Sequence, residues 1–492
     1  MKIKKGMLVS TALCALWLTG CSSNVDETQT QATPALNQKD EDSAPRTMSE
    51  GEAIGLSSSA TIGKKSEDKR SQIAPSASAS VGASTTYSLQ AALNRAHEYS
   101  LRTVISMARV DEAEQRIDEA KAGYYPKLQA MVKTADWISD RSSQVSRSYD
   151  EYSQMQLTLQ YNLMDFGRTR HAVGSAENVH RSATLGAENE INSVSFDAAK
   201  AYLDVRRYTL LQAAAKDYVK VTSDLVNTLT ARVAGGGSPE SELIRGKLAL
   251  TNAENRQKTI DLQLAKAKQK LRSLLGIDVA VEMAELADIP GGTNFDAMVA
   301  SILQQNPGIK AKLAELDSAK EDVSVAQAAR YPSVDVVGAY KRPFQRPDGL
   351  DNNYLGGNVA LQVSVPVLDG GINSSRIGQA MARLRVAEAS YGQLQRDVNE
   401  MAFNLSNDAV NARELWKIQG QAKLDAGRTK SLYLEEFRLG NRSLNDLISV
   451  QTDFFNASVG RVSSQYDYYL SVMGLYMLLG QVNSGIQTLN LR

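Results

Sequence analysis

The feature that most constrains this chain is an alternating strand that occurs twice. From Ser153 to Leu163, apolar and polar residues alternate, and Asp165-Phe166-Gly167 follows. The alternation returns about 205 residues later, over 358–367, and Asp369-Gly370-Gly371 follows it. A strand of about eleven residues with one apolar face crosses a bilayer at a tilt, and its polar face suits a water-filled lumen. A half-buried strand of a soluble β-sandwich has the same pattern, so both kinds of sheet stay open at this point.

The N-terminus has the form of an export signal. Lysines lead into an apolar run over 7–18 that is too short to span a membrane as a mature helix. The run ends at Leu18-Thr19-Gly20-Cys21, which resembles a bacterial lipobox, so we predict a signal peptide over 1–20 and a lipid on Cys21. The other of the 2 cysteines, Cys14, lies in the removed segment, which excludes a disulfide. The alternative is an ordinary signal peptide with an incidental cysteine.

Composition then marks a tether and excludes one class of partner. Residues 21–86 are rich in Ser, Ala, Thr and Gln and have few large apolar side chains, which predicts a flexible tether. Binding to the cell wall or to another envelope protein is the alternative role for this segment. Ser22 and Ser23 follow the cysteine, rather than an Asp that resembles a retention signal for the inner membrane, so we expect the outer membrane as the destination. The formal net charge of +0 argues against nucleic acid.

A long segment without helix breakers follows the first alternating strand. Residues 168–234 contain no proline and little turn chemistry before Gly235-Gly236-Gly237, so they predict one helix about 100 Å long. Apolar spacings of three and four predict a coiled-coil seam, and valines spaced by seven mark a second face, so this helix should pack against two partners. The seam is Tyr208, Leu211, Ala215, Tyr218, Thr222, Leu225 and Leu229, and the second face is Val219, Val226 and Val233. Ser238-Pro239-Glu240 predicts an N-cap and a first-turn proline for the next helix.

The whole arrangement is duplicated, which predicts two structural repeats of one supersecondary unit. The first repeat, 87–276, is predicted as a helix from Ser88 to Gly123, a hairpin over 127–163 and helices over 168–234 and 238–275. After a linker over 277–293, the second repeat, 294–482, is predicted as a helix opened by Asn306-Pro307, a hairpin over 333–367, helices over 372–439 and 443–479, and then a tail over 483–492. Four strands per chain are too few to enclose a water-filled pore, so the chain should be a homo-oligomer.

Short motifs stand at matching places in the two repeats. Tyr-Pro precedes each hairpin, Asp-Phe-Gly or Asp-Gly-Gly follows it, Leu-Leu-Gly ends each repeat, and residues 438–447 spell Arg-Leu-Gly-Asn-Arg-Ser-Leu-Asn-Asp-Leu. In this combination residues 87–482 resemble the TolC family of outer-membrane channel-tunnels. The resemblance implies a mainly α-helical fold with a membrane β-barrel, in which a homotrimer closes a twelve-stranded barrel among outer-membrane lipids and a twelve-helix tunnel in the periplasm.

The resemblance also implies a closed gate at the periplasmic tip, formed by the two helix turns. Arg442 matches the gate arginine, and Asp446 matches the first position of a carboxylate ring. Ser241 and Glu242 match the hydroxyl and the acid that hold that arginine. Gly235 and Gly440 are the turn glycines that this interpretation requires.

This chain departs from the family pattern at two of these positions. Phe437 replaces the usual tyrosine, which removes a hydroxyl link, and Ser449 stands where a second carboxylate often lies. A purely local interpretation also fits, because Ser443 and Asp446 match a helix-capping pattern and an acid suits the first turn of any helix.

Two export functions follow from the resemblance, and a third class stays open. Residues 437–447, followed by Gln451 and Phe454-Phe455-Asn456, look more like the family members that serve type I secretion of an adhesin or toxin. That function needs a periplasmic adaptor (membrane fusion) protein and an inner-membrane ABC transporter. The alternative is the outer-membrane factor of a small-molecule (drug) efflux pump, with an RND pump as partner. The third class is a purely structural coiled-coil lipoprotein.

Residues that carry catalytic or metal chemistry are sparse. His97, His171 and His180 occur singly on predicted helices, where we expect surface residues rather than ligands. The glycines at 235–237 lack the Gly-Lys-Ser/Thr ending of a phosphate loop. We therefore expect no cofactor, no metal and no enzymatic activity.

Overall fold

The computed structural model describes residues 86–134, 153–283, 294–344 and 356–489. The signal peptide, Cys21, most of the tether, the tips of both hairpins and part of the linker lie outside these ranges. Among the helices within them, none combines the length and the apolar character needed to cross a membrane.

Long helices dominate the described ranges. α3 (Arg168–Ala234) and α7 (Ile372–Arg438) each contain 67 residues. The other helices are α1 (Leu89–Tyr99), α2 (Leu101–Lys121), α4 (Glu240–Leu275), α5 (Phe295–Gln305), α6 (Pro307–Ala328), α8 (Leu444–Leu479) and α9 (Val482–Thr488). The predicted long helix over 168–234 is observed with those bounds, and it packs on α2, α4, α6 and α8.

The helix predicted from Ser88 to Gly123 is interrupted. Ser88 accepts a hydrogen bond from the Ala91 amide, as predicted for its N-cap, but Ser100 ends α1 and caps α2 through its own hydroxyl. Asn306 has the same double role between α5 and α6, and its side chain accepts from the Ile309 amide at 2.8 Å. Serine and asparagine favour such caps because their side chains satisfy amides that a helix start leaves unpaired.

Two other predicted helix ends are wrong. α4 begins at Glu240 with Pro239 as its N-cap, so Ser238 is not the cap. The C-terminal segment, predicted as a tail, forms α9, and Val482, Ile486 and Leu489 are buried against the rest of the chain. These apolar positions are too few to show a helical period in sequence.

The strands form one four-stranded antiparallel sheet and one small parallel pair. The larger sheet has the order β2 (Lys127–Lys133), β3 (Gln154–Met164), β5 (Ser333–Pro343) and β6 (Gly356–Ser364). β6 ends two residues before Pro366, which has no amide to donate, so the predicted strand over 358–367 is too long. β1 (Thr86–Tyr87) pairs in parallel with β4 (Ala280–Val281).

The register of the larger sheet sorts side chains onto an apolar and a polar face. Leu159 lies opposite Leu128 on β2, and through Gly338 it aligns with Val359 on β6. Leu128 and Val359 are 71% and 73% exposed in the single chain, and Leu159 between them is half-buried. Exposed apolar side chains that share one face of a sheet indicate a surface that contacts another molecule rather than water.

The polar face carries its own cross-strand contacts. The amide of Asn162 donates to the carboxylate of Asp335 at 2.8 Å, and Gln362 is the next residue in the same row. The alternation read from sequence therefore continues across strands of both repeats.

Each strand pair is joined to its long helix by an aspartate turn. The Asp165 carboxylate accepts from the amides of Gly167 and Thr169, and Asp369 accepts in the same way in the second repeat. Phe166 has φ +54°, where the other repeat has Gly370 at φ +62°. Phe166 stacks on Tyr331 with ring centroids 5.5 Å apart, a contact that offsets part of the cost of a left-handed backbone.

The helices and strands form rows that end on the same elements. Near the tip the order of packing is α4, α3, α8, α7, and nearer the sheet it is α2, α3, α6, α7. The sheet order β2, β3, β5, β6 runs the same way, from first repeat to second. Each row therefore has a first-repeat element at one edge and a second-repeat element at the other.

The largest hydrophobic core lies where the shorter helices meet, halfway along α3 and α7. It contains Tyr202, Tyr466 and Tyr469, which are fully buried, together with the ends of α4 and α8 and most of α9. The Tyr202 hydroxyl donates to the Tyr87 carbonyl and accepts from the Glu282 amide, which fixes the short β1–β4 pair onto this core.

Candidate functional site

The two helix turns named by the sequence analysis lie side by side. The first joins α3 to α4 and the second joins α7 to α8. A small apolar cluster holds them together: Leu225, Leu229, Phe437, Leu444, Leu447 and Val450 are buried in it. Phe437 is 4% exposed, so the aromatic ring that replaces a family tyrosine packs as a core residue of the tip.

The glycines of the turns have different roles. Gly440 has φ +83°, a conformation that disfavours side chains, as predicted for a turn glycine. In the first turn the positive φ belongs to Gly236, at +74°, and Gly235 is the C-cap of α3 at φ −88°. Both predicted turn glycines, Gly235 and Gly440, therefore lie in turns, and the left-handed position of the first turn is the next glycine, Gly236.

Arg442 is held by its own turn. Its Nε donates to the Glu436 carboxylate at 2.8 Å, its Nη1 lies 3.8 Å from the Asp446 carboxylate, and its guanidinium lies 4.0 Å from the centroid of the Tyr433 ring. The hydrogen bond to Glu436 raises the pKa of the Arg442 guanidinium. The side chain of Arg442 is 33% exposed, so this cluster is open to water on one side.

Ser241 and Glu242 lie on the first turn of α4. Ser241 is exposed and Glu242 is half-buried. The predicted partner of Arg442 was Glu242, but within one chain the carboxylates beside Arg442 are those of Glu436 and Asp446, because both lie on the same turn as the arginine.

Asp446 combines the two roles that the sequence left open. The Ser443 hydroxyl accepts from the Asp446 amide at 3.2 Å, which is a helix N-cap. The Asp446 carboxylate faces Arg442 and also lies in the first turn of α8, where a negative charge is favourable. The capping pattern is therefore present together with the charged cluster.

Three arginines that no sequence motif marks connect the helices of the first repeat to those of the second, at the tip or further along α4. The Arg232 guanidinium donates to the carbonyls of Phe437 and Arg438 at 3.2 and 3.3 Å, and it lies 4.7 Å from the centroid of the Phe437 ring. Arg245 donates to the Asn445 side chain and Arg256 to the Asn456 side chain, so two further bonds join α4 to α8. The acceptors of all these bonds are neutral oxygens.

Histidines and acidic clusters show no metal chemistry. His97 Nε2 lies 2.8 Å from the Ser195 hydroxyl and His171 Nδ1 lies 2.6 Å from the Glu321 carboxylate, so these two are half-buried helix contacts rather than surface residues. In the described part of the chain, no group of three or more His, Cys, Asp or Glu side chains is placed to hold a metal ion.

Comparison with known proteins identifies the architecture. The sequence model of the family described as "Outer membrane efflux protein" matches residues 104–277 and again 298–481, once in each repeat. The chain belongs to the outer membrane efflux protein family. It is a TolC-family channel and not an enzyme.

Relatives and solved structures agree with this assignment. Outer membrane efflux protein BepC of Brucella suis biovar 1 is 19% identical over 406 residues, which cover 82% of this chain and 87% of that protein. Outer membrane protein TolC of Vibrio cholerae serotype O1 is 22% identical over 418 residues, 79% of this chain and 90% of that protein. Toxin and drug export protein A of Aggregatibacter actinomycetemcomitans is 21% identical over 338 residues, which cover 65% of this chain and 72% of that protein. The crystal structure of VceC from Vibrio cholerae superposes with a TM-score of 0.69 at 20% identity, covering 80% of this chain and 96% of that one.

Proposed function

We propose that this chain is the outer-membrane exit duct of a tripartite export system and works as a homotrimer. The observation that carries the proposal is the order of the rows. The rows begin on α2, α4 and β2 of the first repeat and end on α7 and β6 of the second, so the two edges of one chain differ. The first-repeat edge of one copy then pairs with the second-repeat edge of the next, and such head-to-tail pairing closes a ring of identical copies.

Exposed apolar side chains on both edges support this assembly. On α7 they include Val386, Phe403 and Ile418, which are 66%, 60% and 55% exposed. On the opposite edge, Leu101 of α2 and Leu248 of α4 are 69% and 61% exposed. Such positions on long helices are costly in water, and pairing with a neighbouring copy removes them from it.

The gate of this duct is the pair of turns. Three copies bring three Asp446 carboxylates to one constriction, and Arg442 lies close enough to Asp446 to offset part of their repulsion. In the closed ring, Ser241 and Glu242 of one copy reach Arg442 of the next.

We propose type I secretion of a protein as the transport function, with an inner-membrane ABC transporter as partner. The support is the resemblance of residues 437–447, Gln451 and Phe454-Phe455-Asn456 to members of that class. Small-molecule efflux with an RND pump is the second candidate, because BepC, a relative that covers most of the chain, is named an efflux protein. A lipid on Cys21 tethers the channel to the outer membrane in either case.

Deletion of the gene separates the two functions. Type I secretion predicts that one large secreted protein is retained in the cell while resistance to dyes, detergents and antibiotics is unchanged. Drug efflux predicts the opposite pair of results. A chain that gives no channel in planar bilayers, with neither phenotype, contradicts both and favours the structural lipoprotein.

A further inference from the structure

We propose that Arg232 is a positioning residue of the gate, which sets how readily the second turn leaves the first. The proposal rests on the gate described above. Arg232 lies outside the cluster of Arg442 and Asp446, on the other turn of the same chain. We infer that it acts through the end of α7.

Arg232 binds the C-terminal end of α7, where the Phe437 carbonyl also accepts from the Gly440 amide at 3.1 Å. The last carbonyls of a helix lack amide partners within it, and a helix C-terminus carries partial negative charge. The carbonyls of Phe437 and Arg438 belong to this end of α7, and the Arg232 guanidinium donates one hydrogen bond to each. A cation at the C-terminus of α7 is therefore favourable, both as a hydrogen-bond donor to these carbonyls and as a charge opposite to that of the helix end.

The same guanidinium also covers the ring of Phe437. The distance of 4.7 Å from the guanidinium carbon to the ring centroid is that of a cation–π contact. Phe437 is buried in the tip cluster, and Arg232 itself is half-buried, so these contacts are partly shielded from water. Movement of α7 away from α3 must break all three contacts of Arg232 in each chain.

The duplication explains why this position is suited to its role. Arg232 and Glu436 are equivalent in the two repeats, because each lies four residues before the positive-φ glycine of its turn, Gly236 or Gly440. Glu436 binds Arg442 within the second turn, whereas Arg232 crosses to that turn from the first. The second turn is therefore fixed from both equivalent positions.

The acceptors make Arg232 hard to replace. Two are main-chain carbonyls, which no substitution in the second turn removes, so the side chain at position 232 alone decides whether these bonds form. Lysine keeps the charge but lacks the planar fork that reaches both carbonyls and lies flat on a ring.

The test is single-channel recording of the purified full-length protein in planar bilayers. We compare wild type, Arg232→Gln, Arg232→Lys and the matched control Arg438→Gln, which removes an exposed arginine and leaves its carbonyl in place. We expect the ratio of open to closed time to rise about tenfold or more in Arg232→Gln, as for the loss of a hydrogen bond to a charged group. Arg232→Lys should be intermediate, and Arg438→Gln should match wild type.

Stability measurements separate gating from folding. We expect the yield and melting temperature of the Arg232→Gln oligomer to stay close to those of Arg438→Gln. Lower yield and melting temperature with an unchanged open-to-closed ratio overturn the proposal, because Arg232 is then a structural residue only. A normal ratio in Arg232→Gln when Arg442→Ser opens the channel overturns it and leaves the gate itself intact. If wild type forms no channel, the proposed function fails, and this inference fails with it.

Discussion

The Arg442 guanidinium lies 4.0 Å from the centroid of the Tyr433 ring, on the helix that leads into the same turn. The Glu436 carboxylate accepts from this arginine, and the Asp446 carboxylate in the first turn of α8 lies 3.8 Å away, so its contacts all come from its own repeat. Arg442, the proposed gate arginine, is therefore already oriented within one chain. Preorganisation of this kind reduces the entropy lost when the ring closes.

Replacement of Arg442 tests the gate most directly. Arg442→Ser removes the bond to Glu436 and the cation beside Asp446, so we expect a severalfold higher single-channel conductance and entry of vancomycin into cells. Arg438→Ser removes a nearby arginine of the same charge and should resemble wild type. Unchanged conductance and unchanged vancomycin sensitivity in Arg442→Ser contradict the gate assignment and leave Arg442 as a local turn residue.

Asp446 and Ser443 separate charge from capping. Asp446→Asn removes the carboxylate and keeps the amide that Ser443 caps, so we expect weaker cation selectivity and weaker block by multivalent cations, with little change in pore width. Ser443→Ala removes the cap, at about 1 kcal/mol of stability, and should leave selectivity unchanged. If both variants change stability alone, the carboxylate is not part of an ion-binding ring.

The two faces of β3 predict opposite tolerance to charge. Leu159→Arg places a cation on the apolar face, at a cost of about 2 to 4 kcal/mol near the bilayer midplane, whereas Gln160→Arg places it on the polar face. The yield of heat-resistant oligomer measures assembly. We expect a loss for Leu159→Arg alone, and equal yields contradict the assignment of the faces.

His97 predicts a pH dependence of stability. Burial lowers the pKa of His97 in the folded chain below its ordinary value of about 6.5. Between these two values the unfolded chain binds more protons, so stability falls as the pH drops from about 6.5 through the folded pKa. His97→Gln stays neutral and keeps a partner for Ser195, so its melting temperature should change less between pH 7.5 and pH 5. An identical change in both proteins shows that other groups cause the acid sensitivity.

Lipid attachment has a separate test. Cys21→Ser should abolish labelling by a radioactive fatty acid and still leave some oligomer in the outer membrane, because we propose that the apolar sheet face also contacts lipid. A lysine substitution in the tether, such as Ser22→Lys, leaves the acceptor thiol in place and should keep the label. Equal labelling of wild type and Cys21→Ser excludes Cys21 as the lipid site.

Much of the fold was predictable because it depends on periodic patterns. The seam of α3 and the alternation of β3 each repeat over many residues, and the duplication provides a second copy of each. Helix interruptions were harder to predict, since Ser100 and Asn306 are single polar residues that act as caps only in their tertiary setting. Pro366 was visible, but the alternation around it continued and concealed the strand end.

The candidate site was predictable only in part, for a different reason. The sequence places Arg442 and Asp446 on one turn, and their proximity follows from helix geometry alone. Which carboxylate binds Arg442 depends on how α7 meets its turn, so Glu436 was missed although it lies six residues away. Arg232 was missed because its acceptors are main-chain carbonyls, which no sequence motif displays. Its equivalence to Glu436 in the other repeat was the one signal that pointed to it.

The two unlike edges of the rows have a consequence for mixed populations of chains. A copy whose α7 edge is damaged still presents an intact first-repeat edge, so it joins a growing ring and prevents its closure. Such a variant should act dominantly over wild type. If the variant and the wild type are produced in equal amounts and assemble at random into the proposed trimer, only about one trimer in eight consists of wild-type copies alone.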